Sequence, residues 1–297
     1  MELDELLTER RSETAGDLDL RSTRALVQLM NEHDAAVPAA VAAAADEIVR
    51  AIDAVVERLD RGGRLVYVGA GTSGRLAALD AAECESSFSA PPGQVVAVVA
   101  GAALASAAEW DAAEDDAAAG ARDVEEIGVG PHDAVVGVSA SGRTPYVLGA
   151  LDAAASAGAL TVAVVCVRGS ELARLARHEI AVVAGPEVLA GSTRLKAGTA
   201  QKLVLNMLST ISMIRLGKTY GDLMVDVAAT NDKLRGRVRR VVELATGVAP
   251  AEAERALTAA GGEARVAIVS LLAGVEAEAA RGRLAAAKGN VRLALLG

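Results

Sequence analysis

The stretch RLVYVGAGTSGR, residues 64–75, decides how the rest of the chain is interpreted. A short run of β-branched and aromatic residues ends in a glycine-rich turn, and Ala-rich sequence of helical length follows the turn. Similar apolar runs recur at 95–99, 134–138, 160–166 and 180–183. These runs lack the apolar/polar alternation of a half-exposed sheet, which is typical of parallel strands buried on both faces. The sequence therefore predicts an α/β fold with a parallel sheet between two layers of helices.

Helical sequence lies on both sides of this region. Before it, Ser22 and Thr23 predict a helix cap, and residues 38–60 predict one helix with Pro38 in its first turn. After it, strands are expected to stop at Arg194, and residues 196–216 predict one long apolar helix, central or at a subunit contact. Short helices separated by glycines are expected at 252–257, 265–272 and 275–287. We therefore predict an N-terminal helical segment (1–60), an α/β domain (61–235) and a small C-terminal helical domain (236–297).

Composition excludes several classes of protein. The chain has 297 residues, of which 52% are hydrophobic and 23% charged, as in a globular protein with a filled core. A net charge of −9 and an aromatic share of 2% argue against binding to nucleic acid or to anionic lipid. Only two cysteines occur, and the acidic N-terminus lacks the features of a signal peptide. We expect a reduced, cytoplasmic protein without a membrane span.

The glycine turn after the first predicted strand also matches G-x-G-x-x-G, the pattern of dinucleotide-binding folds. Those folds place an acidic residue at the end of the next strand, whereas residues 98–103 contain none. Thr72 and Ser73 stand between the glycines, so hydroxyls, backbone N–H groups and a helix N-terminus would meet at this turn. This set suits a monophosphate better than a dinucleotide. A tight turn that binds nothing remains the alternative.

Two further hydroxyl-rich stretches indicate where such a phosphate would bind. SASGRTP (139–145) follows the third predicted strand, and GSTRLKAGT (191–199) leads into the long helix with two added cations. Because ligands of open parallel sheets bind at the carboxyl ends of the strands, these loops are expected to converge. Taken alone, the 139–145 stretch is equally well explained as a helix cap.

Carboxylates close to these loops are candidates for acid/base chemistry. Glu83 lies only nine residues after Gly74, but spacing alone does not select it over Asp80 or Glu85. The acidic run 109–116, taken alone, is better explained as a solvated helix face than as a catalytic group. The three histidines lack metal-ligand spacing, so the sequence predicts no metal site.

Four longer stretches carry a family resemblance: GAGTSGRLAALDAAE (69–83), SASGRTPYV (139–147), GSTRLKAGTAQKLVLNMLST (191–210) and GDLMVDVAATNDKL (221–234). Together they resemble the N-acetylmuramic acid 6-phosphate etherase family over nearly the whole chain. The resemblance implies a sugar-isomerase (SIS) domain, a flavodoxin-like three-layer sandwich that binds phosphosugars and usually forms a homodimer. In part the chain also resembles animal glucokinase regulatory proteins, which keep the fold without the reaction.

The resemblance implies a reaction without metal or organic cofactor: cleavage of the D-lactyl ether of N-acetylmuramic acid 6-phosphate to N-acetylglucosamine 6-phosphate and D-lactate. The family's acid/base glutamates fall on Glu83 and Glu114. We assign Glu83 as the acid for the departing lactate and Glu114 as the base at C2. The lactate carboxylate is assigned to Lys196 or Arg143, and the remaining expected substrate contacts are Gly71, Thr72, Ser73, Ser139, Ser141, Thr144 and Ser192.

Three other functions are compatible with parts of this sequence. A phosphosugar isomerase and a non-catalytic phosphosugar-binding regulator would both keep the hydroxylic loops. A regulator would not need both Glu83 and Glu114, which favours the enzyme. A scaffold protein would explain the long helix at 196–216 but would leave the glycine loops without a role.

Overall fold

A five-stranded parallel sheet organises the structure, a computed structural model that describes residues 8–102, 107–226 and 232–297. The strands are β1 (Leu65–Gly69), β2 (Val95–Val99), β3 (Ala134–Val138), β4 (Leu160–Val165) and β5 (His178–Ala181). Their order is β2-β1-β3-β4-β5, and all neighbours are parallel. This is the flavodoxin-like order of a doubly wound sheet. The predicted α/β fold class is confirmed.

Burial explains why the strand sequences do not alternate. Every residue of β1, β3 and β4 is buried, and every residue of the edge strand β2 is partly buried. A strand covered on both faces gains from apolar side chains at each position, so a continuous Val-rich run is the expected pattern.

Helices connect the strands and continue beyond them. Their bounds are α1 (Thr23–Asp34), α2 (Ala36–Ala43), α3 (Ala45–Asp60), α4 (Gly71–Phe88), α5 (Ala107–Glu114), α6 (Ala117–Glu126), α7 (Pro145–Ser156), α8 (Glu171–Leu175), α9 (Lys196–Arg215), α10 (Asp232–Thr246), α11 (Pro250–Ala259), α12 (Ala264–Ala273), α13 (Ala277–Ala286) and α14 (Val291–Ala294). The Ser22 side chain caps α1 by accepting a hydrogen bond from the Ala25 N–H, as predicted.

Helices cover both faces of the sheet. On one face, α7 contributes Val147 and Leu151 to a core that also contains Val66 and Val135 of the sheet. On the other face, the buried Tyr67 hydroxyl donates to Asp80 of α4 at 2.9 Å. The Asp80 carboxylate also accepts from Asn206 (2.6 Å) and Ser209 (3.1 Å) of α9, so α4 and α9 are joined by a buried polar network.

An ion pair holds the amino ends of β1 and β3 together. Arg64 donates to the Asp133 carboxylate through its backbone N–H (2.8 Å), Nε (3.2 Å) and Nη2 (2.7 Å), and the Gly130 N–H donates to the same carboxylate at 3.0 Å. Burial alone would raise the pKa of the Asp133 carboxyl, but these donors hold the pKa below its usual value.

The chain folds into two units, Met1–Ala82 with Gly93–Ser209 and Glu83–Pro92 with Thr210–Gly297. The first contains the parallel sheet. In the second, helices α10 to α14 pack around a core that includes Val242 and Ile268. Asp226 in this unit pairs with both Lys218 and Arg265 at 2.8 Å. The three-part domain organisation given by the sequence stays a prediction.

Two details of the predicted secondary structure are wrong. The helix expected over 38–60 is divided into α2 and α3 at Ala44, whose dihedral angles (φ −94°, ψ 10°) leave the helical region. Strands also do not stop at Arg194, because β6 (Thr219–Tyr220) and β7 (Leu223–Met224) form a small antiparallel hairpin. Two-residue strands are too short to show a period in sequence. Residues 227–231 of the 221–234 stretch lie outside the described residues.

Among the described residues, no single helix has both the length and the apolar composition needed to cross a membrane; α11 and α12 pass such a test only as a pair bent by 112°.

Candidate functional site

The strand order locates a crevice at the carboxyl end of the sheet. From β1 the chain crosses to β2 on one side and then returns to β3 on the other side. The loops that follow β1 and β3 therefore diverge at the topological switch point, which is where open α/β sheets bind ligands.

The first loop is a sharp turn from β1 directly into α4, which begins at Gly71. The turn requires glycine at residue 74, because an added Cβ would lie 2.7 Å from both the Gly69 carbonyl oxygen and Val99 Cγ1. Gly74 N–H bonds to the Ala70 carbonyl at 3.0 Å. The N–H groups of residues 71–73 begin the helix and have no acceptor within it, so they are donors at the crevice.

The second loop directs two hydroxyls at each other. Ser139 Oγ and Thr144 Oγ1 lie 2.9 Å apart, and Ser139 Oγ also accepts from the Gly142 N–H at 3.0 Å. Gly142 has a φ of +65°, and an added Cβ would lie 2.2 Å from Ser170 Oγ. Thr144 occupies the N-cap position of α7 but makes no side-chain cap bond. Its hydroxyl is therefore not used as the simple helix cap that the sequence left open.

Glu114, the last residue of α5, lies between the two loops. Thr144 Oγ1 donates to Glu114 Oε1 at 3.3 Å, and a Cβ added to Gly71 would lie 3.7 Å from Glu114 Oε2. Because Thr144 has one proton and gives it to Glu114, Ser139 is the donor in the Ser139–Thr144 pair. A chain of hydroxyls thus ends on a half-buried carboxylate at the switch point.

The third stretch reaches the crevice through the start of α9. Buried Glu187 caps this helix by accepting from the N–H groups of Lys196 (3.0 Å) and Ala197 (2.9 Å). Lys196 Nζ donates to the Ala184 carbonyl at 2.8 Å, and only 4% of the residue is exposed. Burial lowers the pKa of the Lys196 ammonium, and the negative charges of Glu187 and Asp34 oppose this shift.

A small apolar cluster joins α9 to the second loop. Ala197 packs with Ala140 and Cys166. Burial, together with the charge of Glu187, raises the pKa of the Cys166 thiol to about 12. A thiol in this state is a packing group and not a nucleophile.

The next turn of α9 contacts the first loop. A Cβ added to Gly198 would lie 3.5 Å from Thr72 Cγ2, and Ser73 Oγ donates to Gln201 Oε1 at 2.9 Å. All three predicted stretches therefore meet. The third contacts the other two through the first two turns of α9, and not through Ser192 and Thr193, the hydroxyl residues that precede the helix.

The predicted site residues are distributed unevenly. The structure brings Gly71, Thr72, Ser73, Ser139, Thr144 and Glu114 together in the first unit. Ser141 Oγ accepts from the Arg143 N–H at 3.3 Å, and Arg143 pairs with Glu171 at 3.6 Å. Ser192 is half-buried in the turn before α9, and its carbonyl accepts from Leu195 N–H. Glu83 is exposed on α4, more than three turns after Gly71, and belongs to the second unit.

Sequence reasoning missed Gln201 and Glu187. Glu187 stands nine positions before the Lys196 N–H that it caps, so no capping motif marks it. Gln201 lies inside the quoted 191–210 stretch, but its amide has no sequence feature that predicts a bond to Ser73. Over the part of the chain that the structure describes, no three His, Cys, Asp or Glu side chains converge as a metal site would require.

Comparison with known proteins identifies the domain. Residues 47–155 match the family described as glucokinase regulatory protein N-terminal SIS domain, and residues 123–211 match the SIS domain. A crystal structure of a phosphosugar isomerase involved in capsule formation, from Bacteroides fragilis, is 19% identical with a TM-score of 0.50. The match covers 65% of this chain and 91% of that chain. At this identity the likeness concerns the fold alone.

Curated relatives identify the family more narrowly. The N-acetylmuramic acid 6-phosphate etherase of Rubrobacter xylanophilus is 62% identical over 273 residues, which cover 92% of this chain and 91% of the relative. The Streptomyces avermitilis protein of the same name is 56% identical over 93% of this chain and 88% of its own length. That of Brucella anthropi is 50% identical over 92% and 89%. This chain belongs to the N-acetylmuramic acid 6-phosphate etherase family.

Proposed function

We propose that this protein cleaves the D-lactyl ether of N-acetylmuramic acid 6-phosphate, with water, to N-acetylglucosamine 6-phosphate and D-lactate. The names of relatives up to 62% identical support this activity. The observation in the structure that carries it is the position of Glu114, a carboxylate held between two hydroxyl-bearing loops at the switch point of the sheet.

The reaction needs one base and one acid. In the open-chain sugar, the C1 aldehyde acidifies the proton on C2. A base removes that proton, the bond from C3 to the ether oxygen breaks, and an acid protonates the oxygen as lactate departs. Water then adds to C3 of the unsaturated aldehyde and a proton returns to C2. One carboxyl group must therefore start ionised and the other protonated.

Glu114 is the base at C2 in this proposal. Thr144 donates to one of its oxygens at 3.3 Å, which holds the carboxylate in one orientation. The second oxygen lies on the Gly71 side, 3.7 Å from the position that a Cβ of residue 71 would take.

Glu83 is the acid for lactate and then the base for water. This role rests on the family resemblance, in which the D-A-x-E context falls on residues 80–83. In the structure, Glu83 is exposed on α4.

The 6-phosphate is assigned to local donors, because the net charge of −9 repels an anion. The assigned contacts are the N–H groups of residues 71–73 and the hydroxyls of Thr72, Ser73, Ser139, Ser141 and Thr144, and Ser192 lies further along the chain, before α9. Ser139 and Thr144 donate to the phosphate only when their protons turn away from Thr144 and Glu114, to which they donate in this structure. The lactate carboxylate is assigned to Lys196, which uses one of its three protons on the Ala184 carbonyl, with Arg143 as the alternative cation.

We also propose a cytoplasmic homodimer that uses the long helix α9 as a contact. Ile211 and Ile214 of this helix are 37% and 45% exposed, which supports an apolar surface that a second copy would cover. Sedimentation equilibrium is expected to give twice the chain mass of 30.0 kDa, and a single-chain mass would refute the pairing.

Two variants separate the roles of the glutamates. With Glu83→Ala, lactate release is expected to stop while the C2 hydrogen still exchanges with deuterated water, because the base remains. With Glu114→Ala, both events are expected to fall by about 10²–10⁴-fold. Near wild-type lactate release by the Glu114 variant would remove Glu114 from the mechanism.

The same assay tests the cofactor expectation and the competing functions. Activity is expected to survive exhaustive treatment with EDTA and to need no nucleotide. Recovery of lost activity by a divalent ion would contradict this. Binding of the sugar phosphate without lactate release would instead support a regulator.

A further inference from the structure

Gln201 is a buried amide that uses only one end. It lies in the second turn of α9, and 2% of the residue is exposed. Its Oε1 accepts the Ser73 proton at 2.9 Å, whereas its Nε2 is buried with no hydrogen-bond partner. A buried amide nitrogen with two unused protons is uncommon in native structures and calls for a physical explanation.

The bond to Gln201 also constrains Ser73. A serine hydroxyl has one proton and two lone pairs. While that proton is given to Gln201, Ser73 presents only lone pairs to a phosphate bound at the first loop. These lone pairs repel the phosphate oxygens. In this arrangement Ser73 does not act as the phosphate donor assigned to it above.

Half a turn about the terminal torsion of Gln201 reverses both features. This torsion is broad and nearly two-fold, so the oxygen and the nitrogen exchange places within the same side-chain volume. Nε2 then donates to Ser73 Oγ, and the Ser73 proton is released toward the loop. The end left without a partner is now a carbonyl oxygen, which is tolerated in buried positions better than an unused N–H.

We propose that Gln201 is a positioning residue for the Ser73 hydroxyl. When the 6-phosphate binds, Ser73 stops donating to Gln201 and accepts from it instead, so that the Ser73 proton can be donated to the phosphate. This inference rests on the proposed phosphate site. It adds a residue that contributes to the recognition of phosphate through Ser73, without contacting the phosphate itself. No covalent bond is made or broken. The hydrogen bond between Ser73 and Gln201 reverses its direction, and the Ser73 O–H then donates to a phosphate oxygen instead of to the amide oxygen.

A double-mutant cycle on KM and kcat tests the proposal with N-acetylmuramic acid 6-phosphate as substrate. The ionised Gln201→Glu side chain keeps the shape but can only accept, so it holds the Ser73 proton away from phosphate, and its charge adds a repulsion of the phosphate that does not depend on Ser73. We expect KM to rise about tenfold, as with Ser73→Ala, and kcat to stay within about twofold. In the Ser73→Ala background, only the part of the Gln201→Glu effect that is due to charge is expected to remain, whereas the uncharged Gln201→Met is expected to change KM by less than about twofold.

Two further variants keep the cycle decisive. Gln201→Met removes the amide without adding a charge, and its smaller rise in KM must vanish in the Ser73→Ala background. Lys202→Met, at an exposed position next to Gln201, is the matched control and is expected to leave KM unchanged.

The outcomes separate this inference from the proposed function. An equal effect of Gln201→Met on KM with and without Ser73, or a fall in kcat at constant KM, would overturn the positioning role alone. An unchanged KM for Ser73→Ala itself would overturn the phosphate assignment of Ser73 and this inference with it, while wild-type lactate release would still stand.

Discussion

Replacing Thr144 with valine tests whether the second loop serves the reaction or only caps a helix. Valine keeps the shape of threonine and removes the hydroxyl, which joins Ser139 Oγ at 2.9 Å to Glu114 Oε1 at 3.3 Å. One neutral hydrogen bond and one longer bond to a carboxylate are lost. Ser139 keeps its bond from the Gly142 N–H, and the half-buried Glu114 can be solvated in part. The expected loss of unfolding free energy is therefore only about 1 kcal/mol.

The kinetic effect is expected to be larger than the effect on stability. The substitution removes the hydroxyl that orients the Glu114 carboxylate, the proposed base at C2. We expect kcat/KM for lactate release to fall by about 10- to 100-fold, or roughly 1.4–2.7 kcal/mol of transition-state stabilisation. Thr144→Ser, which restores the hydroxyl, is expected to recover most of the activity.

Thr161→Val is the matched control for this experiment. Thr161 is 4% exposed, lies near the amino end of β4, and its hydroxyl accepts from the Arg177 N–H at 3.0 Å. Its loss is expected to cost a similar 1–2 kcal/mol of stability, measured by urea unfolding, without changing kcat/KM beyond about twofold. If both valine variants reduce stability equally and neither reduces activity, Thr144 has a structural role only.

Two further substitutions or treatments test the electrostatics of the first unit. Asp133→Asn is expected to lower the free energy of unfolding at pH 7 by about 2–4 kcal/mol, because Arg64 loses a buried partner. Since the folded pKa of Asp133 is depressed, this stabilisation is present above the unfolded pKa of about 3.9 and is lost as pH falls through the folded pKa. If urea titrations give the same difference in unfolding free energy between wild type and Asp133→Asn at every pH, the electrostatic explanation is wrong. The Cys166 thiol, with a pKa near 12 and 7% exposure, is expected to resist iodoacetamide at pH 8 until the protein unfolds, and rapid labelling of its peptide in the native protein would contradict this.

The sheet could be predicted from sequence because its signal is local. Buried parallel strands need a continuous apolar run, and the runs at 95–99 and 134–138 coincide with β2 and β3. The long helix at 196–216 was equally clear, since α9 ends one residue earlier, at Arg215. The hairpin of β6 and β7 was missed, because two residues carry no periodicity.

The candidate site was predictable only in part, because it depends on contacts between distant segments. The hydroxyl loops are recognisable from their glycines and their position after strands. In contrast, the bond from Ser73 to Gln201 joins residues 128 positions apart, and the Glu114 carboxylate reaches Thr144 across 30 positions. Residue types and spacing do not encode such pairings; the strand order brings them together.

The most direct test of the account compares D-lactate release from N-acetylmuramic acid with and without the 6-phosphate. Two charge-assisted hydrogen bonds to phosphate at about 2 kcal/mol each correspond to a ratio of kcat/KM on the order of 10³. The account predicts that the wild-type protein releases stoichiometric D-lactate from the 6-phosphate and turns over the unphosphorylated sugar at least about a thousandfold less efficiently. Equal turnover of both sugars, or no lactate from the 6-phosphate, would contradict it.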